Sequence, residues 1–306
     1  DGFWEDREPS AYRRSDIYRI SVDKGDISQL TNEPGYWTEP SISEDGKRIV
    51  FEGHPLSKVT YELADLYVMN ADGGDVRLLA SDFDRPVVGD KQWSGKDLVV
   101  TVQDSGYFRV YRISPRGTVT AVTEEGTLFR LSSITPDGSV IAGIRSSYYE
   151  PGDVATIDLS SRGGETRLTQ VNADLLAGKT LGKQEEIWFE AEDGNKAHGW
   201  IVYPPDFDSE QTYPMIMEIH GGPFSMYRGS FNFFYQAYAA NGFVVLYTNP
   251  RGSTGYGEEF SQAIDHAYPS VDYLDLMGAV DAVLEQGVID DSRMYVGGCS
   301  GGGVLT

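Results

Sequence analysis

Among 306 residues there is one cysteine, Cys299, so no intramolecular disulfide can staple this fold. Basic residues are also scarce: 25 lysines and arginines stand against 47 aspartates and glutamates, a formal net charge of −22. A surface this acidic repels phosphate backbones, which makes nucleic acid a poor partner. It reads as a solubility feature, with adaptation to high salt as the alternative. No stretch approaches the roughly 18 consecutive apolar residues that would cross a bilayer, so no membrane partner is expected. The first residues lack the basic start and apolar middle of a signal peptide, and with the lone cysteine this favours the cytoplasm, the periplasm or secretion being the alternatives. Histidines number four, and no two have metal-ligand spacing; neither a metal nor another cofactor is expected.

What is present divides into two grammars. Through residue 175 a short strand recurs, as Asp16–Ile20, Asp65–Met69, Arg109–Ile113 and Asp153–Ile157, with starts 49, 44 and 44 residues apart. Each is followed by a turn and a Leu-Thr-like element: Leu30-Thr31, Leu78-Leu79, Val122-Thr123, Leu168-Thr169. A second signature keeps the same period, with Asp45-Gly46, Gly95-Lys96 and Asp137-Gly138 as hairpin turns between apolar strands. Two signatures repeating in the forties predict a partial β-propeller, with about four blades present, over a sandwich with accidental spacing. Four blades close poorly, so further blades are expected upstream of Asp1.

From 176 to 306 strands alternate with helices. Glu186–Phe189 and His198–Val202 flank the turn at Glu192–Asn195 and predict an antiparallel opening pair. Pro214–Ile219 and Phe243–Thr248 read as buried strands, Phe231–Asn241 as a helix ended by Gly242. Asp272–Gln286 is predicted helical with Tyr273, Leu276, Met277, Val280, Val283 and Leu284 as its apolar stripe. The order predicts an open, mainly parallel α/β sheet, the N-terminal part of an α/β-hydrolase domain.

Near the end, Gly298-Cys299-Ser300-Gly301-Gly302 places a serine in the frame G-x-S-x-G after a short apolar strand. This is the sequence form of a nucleophile elbow, which makes Ser300 the nucleophile, with Cys299 and Ser253 as weaker rivals. Acyl transfer also needs donors for the oxyanion. Backbone amides of Gly301 and, from His220-Gly221-Gly222-Pro223, Gly222 are the candidates, Gly221 being nearly as good on sequence alone. A plain tight turn is the bland alternative for that loop. His220 is read as an organiser of the loop, His266 as a surface or cap residue, and His54 and His198 as ordinary hairpin imidazoles. The Gly-rich run Asn249–Gly257 has neither P-loop spacing nor a basic setting. It is read as a loop bordering the site, with Tyr256 in it and Arg251 held by Asp272 or Asp275. In this elbow design the triad runs Ser, then Asp or Glu, then His, and the six residues from Ser300 onward contain neither. The chain is therefore expected to be cut at both ends, inactive by itself, and to leave an apolar sheet edge exposed.

These repeats, followed by His220-Gly221-Gly222-Pro223, Asn249–Gly257, Asp272–Met277 and Gly298–Gly303, resemble the prolyl oligopeptidase family of serine peptidases, S9. The resemblance spans nearly the whole chain and is best with the acylaminoacyl-peptidase and dipeptidyl-aminopeptidase-like branch. It implies a seven-bladed propeller capping an α/β-hydrolase domain, with short peptides as substrates cleaved between the two. It also implies Ser300 as nucleophile with Gly222 and Gly301 as oxyanion hole. In a prolyl-specific branch a tyrosine stands where His220 stands, which argues against simple prolyl specificity. Cys299 replaces a glycine and Gly297 a threonine, both small enough for the elbow. The family's Asp and His have no counterpart in this sequence. An esterase or amidase on the same scaffold and a non-catalytic propeller binding protein are the alternatives, and assembly into a homo-oligomer is left open.

Overall fold

The computed structural model describes residues 14–159 and 164–306; the opening residues read above for a leader lie outside them. Small antiparallel sheets follow one another through the first half. β1 (Tyr18–Ile20) and β2 (Ile27–Gln29) form a ribbon. β3 (Gly35–Ile42), β4 (Arg48–Pro55), β5 (Asp65–Asn70) and β6 (Arg77–Leu78) form a four-stranded sheet in chain order. So do β7 (Val87–Ser94), β8 (Asp97–Asp104), β9 (Tyr107–Ile113) and β10 (Val119–Ala121), and then β11 (Leu128–Ile134), β12 (Val140–Ser146), β13 (Asp153–Asp158) and β14 (Glu165–Arg167).

Both repeated signatures have a physical cause. In the β3–β4 and β11–β12 turns the aspartate carboxylate accepts the amide two residues on, Lys47 N and Ser139 N at 3.1 Å each, and the glycine between sits at φ 69° and 71°. That left-handed position is one a side chain rarely adopts, which is why Gly46 and Gly138 follow their aspartates. The Asp…Thr spacing is a strap. Thr31 Oγ1 accepts Ile17 N at 3.1 Å and donates to Asp16 at 2.9 Å; Thr169 Oγ1 accepts Val154 N at 2.9 Å and donates to Asp153 at 2.7 Å. Thr123 accepts Val110 N at 3.0 Å, and where the second repeat has Leu79, its backbone amide donates to Leu66 O at 2.8 Å instead. The strap gives each sheet's third strand a partner beyond its short fourth strand.

Neighbouring sheets pack face to face through the alternation of strand side chains. Leu98, Val100 and Val102 of β8 join Val50, Leu66 and Val68 of the preceding sheet, while Val99 joins Phe129, Leu131 and Ile141 of the following one. Ile49, Phe51 and Trp37 turn the other way, toward Ile17 and Leu30.

After a short helix α1 (Ala173–Leu176) the architecture changes. β15 (Gln184–Glu190), β16 (Lys196–Val202), β17 (Tyr213–Ile219), β18 (Val244–Asn249) and β19 (Ile289–Gly298) form one mixed sheet in the order β15-β16-β18-β17-β19. β15, β16 and β18 pair antiparallel; β17 runs parallel to both β18 and β19. Helices α2 (Phe233–Ala240), α3 (Glu258–Gln262), α4 (Val271–Leu284) and α5 (Gly301–Leu305) lie in its connections. Asn232 caps α2 by accepting the amides of Phe234 and Tyr235. Val244 and Leu246 enter the core shared with α4, and Val245 and Tyr247 the one shared with α2. β19 is one edge of this sheet among the described residues, β15 the other, and Met294, Tyr295 and Val296 of β19 are exposed, the apolar edge expected from the sequence.

Of the stripe read for α4, Leu276 and Val283 are buried and Val280 and Leu284 pack against the same core, while Tyr273 and Met277 are exposed, a correction to the reading. Asp272, Asp275 and Ala279 are the other buried positions, and Asp275 has a guanidinium partner.

Connections of the α/β sheet are hydrogen-bonded to the small sheets. Gly229 N donates to Gly106 O at 3.1 Å, Phe231 N to Ser147 O at 2.7 Å, and Ser105 N to Gly255 O at 2.9 Å. Thr60 N donates to Asp265 Oδ1 at 3.0 Å and Glu258 N to Asp84 Oδ1 at 2.9 Å.

Candidate active site

β19 runs into α5 through a turn whose apex is Ser300, at φ 56° and ψ −117°. A non-glycine residue held there is strained and persists only where surrounding contacts over-determine it. Here two close approaches do so. A Cβ at Gly298 would lie 2.4 Å from Gly302 O, and one at Gly302 would lie 2.2 Å from Ile219 O, so β19, α5 and the end of β17 meet backbone to backbone. Ser300 is exposed at the apex, and among the described residues its hydroxyl has no hydrogen-bond partner. The neighbouring Cys299 is exposed as well.

The His220–Pro223 loop leaves β17 and lies against this turn. A Cβ at Gly301 would be 3.1 Å from Gly222 N, and one at Gly221 would be 2.7 Å from Cys299 O. Gly222 is thus the glycine of the pair that faces Gly301, while Gly221 packs under Cys299. His220 is buried, with Nε2 3.0 Å from Ser253 Oγ and Nδ1 2.9 Å from Gly221 O. Burial pushes the imidazole below its usual pKa, and both ring nitrogens are engaged inside the loop. Ser253 is itself buried and donates to Pro250 O at 2.6 Å, so neither residue is free to serve Ser300.

Below the loop, Arg251 forms a two-pronged pair with Asp275, Nη2 to Oδ1 at 2.7 Å and Nε to Oδ2 at 3.0 Å. Its backbone amide also donates to Asp275, at 2.7 Å, and Nη1 reaches Asp193 at 2.7 Å. Of the two carboxylates read as its partner, Asp275 is the one; Asp272 instead accepts Ser270 N. Asn249 joins two loops, accepting Tyr227 N at 2.7 Å and donating to Tyr227 O at 2.9 Å and to Tyr256 Oη at 2.8 Å. Tyr256 Oη also meets His198 Nδ1 at 2.7 Å.

Two groups of residues escaped the sequence reading. Tyr268 donates to Gly301 O at 2.7 Å, fixing the first residue of α5 from outside the motif. Behind Tyr256, His198 Nε2 approaches Glu186 at 3.0 Å, and Glu186 accepts from Tyr107 and Tyr148 of the small sheets. Trp188 stacks on His198, ring centres 4.2 Å apart. Neither group has a local pattern; the one usable signal was the density of aromatics around His198 in β15 and β16.

His198, then Tyr107 and Tyr148, hold the Glu186 carboxyl down to about 2 against an ordinary 4.5. A folded-state value below the unfolded one contributes stability that is present above about pH 4.5 and is lost as pH falls toward 2. Glu186→Gln should therefore lower the urea midpoint at pH 7, with the gap to wild type closing between pH 4.5 and 2 when unfolding is followed by tryptophan fluorescence. A gap unchanged at pH 2 would show that Glu186 contributes by packing alone.

Comparison with known proteins finds relatives over most of the chain. Residues 229–306 match the Prolyl oligopeptidase family. The chain is 34% identical over 248 residues to the Uncharacterized peptidase YuxL of Bacillus subtilis, covering 80% of this chain and 36% of that protein. It is 25% identical to Dipeptidyl-peptidase 5 of Schizosaccharomyces pombe, covering 97% of this chain and 44% of the relative. Acylaminoacyl peptidase of Pyrococcus horikoshii has the same fold, with a TM-score of 0.83 at 24% identity over 97% of this chain and 45% of its own. The chain thus spans less than half the length of these relatives. Residues 229–306, which include the turn at Ser300, thus match the prolyl oligopeptidase family, and the chain is similar to peptidases over most of its own length.

Proposed function

We propose that this chain carries the nucleophile and the oxyanion half of a serine peptidase of the acylaminoacyl- or dipeptidyl-peptidase kind, acting on short peptides. The observation that carries this reading is the exposed Ser300 at φ 56°, with the Gly222 backbone against Gly301. In the proposed reaction Ser300 Oγ bonds to the peptide carbonyl carbon as its proton passes to a base. The carbonyl oxygen becomes an oxyanion facing the Gly222 and Gly301 amides. The C–N bond then breaks, the amine leaves with the proton, and water releases the acyl group from Oγ.

None of the four histidines contacts Ser300, so the base and its orienting acid are proposed to lie outside these 306 residues. We place the division between a partial propeller of about four blades and the hydrolase portion near residue 175, supported by the change from chain-order antiparallel sheets to the mixed sheet. Arg251, Gly221, His220 and Tyr256 then support the site by holding the loops that present Gly222.

Elbow and oxyanion donors serve an ester as well as an amide, so an esterase or amidase is the competing reading. A product of the same gene long enough to include a histidine after Ser300 should cleave acetyl-alanyl and dipeptidyl p-nitroanilides, both lost in Ser300→Ala. Cleavage of p-nitrophenyl esters with neither anilide would overturn the peptidase reading in favour of an esterase.

A further inference from the structure

In a chain with 47 acidic residues, Arg130 and Arg228 have no carboxylate partner among the described residues. Both line one cavity of about 560 Å³ between the last small sheet and the connection that follows the oxyanion loop. Its other walls include Phe108, Leu128, Ile144 and Phe231, and no aspartate or glutamate lines it. Arg228 lies over Phe108, its guanidinium carbon 4.7 Å from the ring centre.

The backbone just after Arg228 is anchored: Gly229 donates its amide to Gly106 O and Phe231 donates to Ser147 O, which ties the segment to the small sheets. On the other side, the Tyr227 ring meets His220 edge-on at 5.0 Å. Arg228 and the glycine proposed as oxyanion donor are thus parts of one ordered connection between β17 and α2. Both arginines are open to solvent, so an arriving anion can reach them, and partial desolvation of the guanidinium followed by the charge of Arg130 lowers the Arg228 pKa.

We infer that this cavity is an anion subsite in which Arg130 and Arg228 grip a carboxylate of the peptide substrate. The inference rests on the peptidase reading and names its substrate class: peptides carrying either an acidic side chain or a free C-terminal carboxylate. A planar carboxylate matches the guanidinium fork, and the apolar walls suit the aliphatic stem that carries it. A polyphosphate or nucleic acid fits less well, because the net charge of −22 repels a multiply charged ligand far more than a singly charged one.

The test is calorimetric binding to the 306-residue chain, which needs no turnover. Four peptides are compared: N-acetyl-Ala-Ala-Glu-amide with its Gln counterpart, and N-acetyl-Ala-Ala-Ala with its C-terminal amide; glutarate is a fifth probe. One carboxylate peptide should bind roughly 10- to 100-fold more tightly than its neutral partner, as expected for a charge-assisted pair. Which pair shows the preference identifies the source of the carboxylate. Arg228→Met and Arg130→Met should each reduce the preference to about twofold or less. Their melting temperatures should not fall, since each removes one of two facing like charges. Equal binding within both pairs, a preference that survives both variants, or no binding of any probe would overturn the subsite. Glutarate binding that is lost in Arg228→Met, with no peptide bound, would keep the anion site and overturn the peptidase reading instead.

Discussion

Hydrolysis of p-nitrophenyl butyrate by the 306-residue chain is expected to run at the same rate in the wild type and in Ser300→Ala. A serine hydroxyl is a weak nucleophile until a base takes its proton. His220 is engaged by Ser253 and Gly221, His198 by Tyr256 and Glu186, His54 by Pro55 and Glu62, and exposed His266 lies nearest Asp265. Some acceleration over buffer can still arise, because oxyanion donors and binding alone supply a residual effect in serine hydrolases. That residue of activity does not depend on Ser300. In a longer product that supplies the histidine, Ser300→Ala should instead reduce kcat by about 10⁴-fold or more. A wild-type rate in the 306-residue chain clearly above that of Ser300→Ala would show that a base is already present, and would remove the argument that it lies elsewhere.

Asp275→Ala should destabilise the chain by about 3 kcal/mol at pH 7, measured by urea denaturation, which is the range for breaking a buried ion pair by deleting one partner. Asp275 is fully buried, and its carboxylate holds one edge of the Arg251 guanidinium through Nε and Nη2 and the Arg251 amide besides. Without it the guanidinium keeps only Asp193 and the Val271 carbonyl, and it cannot shed its charge. Arg251→Met should cost less, and less still as pH falls. Burial already pushes the Asp275 carboxyl above its ordinary value, so once the guanidinium is gone the acid takes up a proton in the folded state more readily than in the unfolded one. An equal loss in the two variants at pH 5 would contradict this asymmetry. The consequence reaches the candidate site, because the loop that Arg251 anchors carries Ser253, the partner of His220 beside Gly221 and Gly222.

Much of the architecture was legible from residue order. Period and hairpin turns are local or nearly local signals, and the observed sheets follow them. Two positions of α4 departed from the reading, Tyr273 and Met277 being exposed, while Asp275 is buried against Arg251. A hydrophobic stripe shows which positions are apolar, and not which polar group has a partner waiting inside.

The sequence by itself determined the turn at Ser300 and the repeat of hairpin turns. Each depends on residues a few positions apart, where backbone sterics and turn chemistry decide the outcome. Only the tertiary structure decided which glycine faces Gly301, that Tyr268 holds α5, and that Glu186 joins His198 to two tyrosines of the small sheets. Only it brought Arg130 and Arg228 to one cavity without a counter-charge. Arg251 meets Asp275 across 24 residues and Tyr107 meets Glu186 across 79. At such separations partners are selected by the packing of whole sheets and the desolvation of the groups between them, and no short window of sequence contains that information.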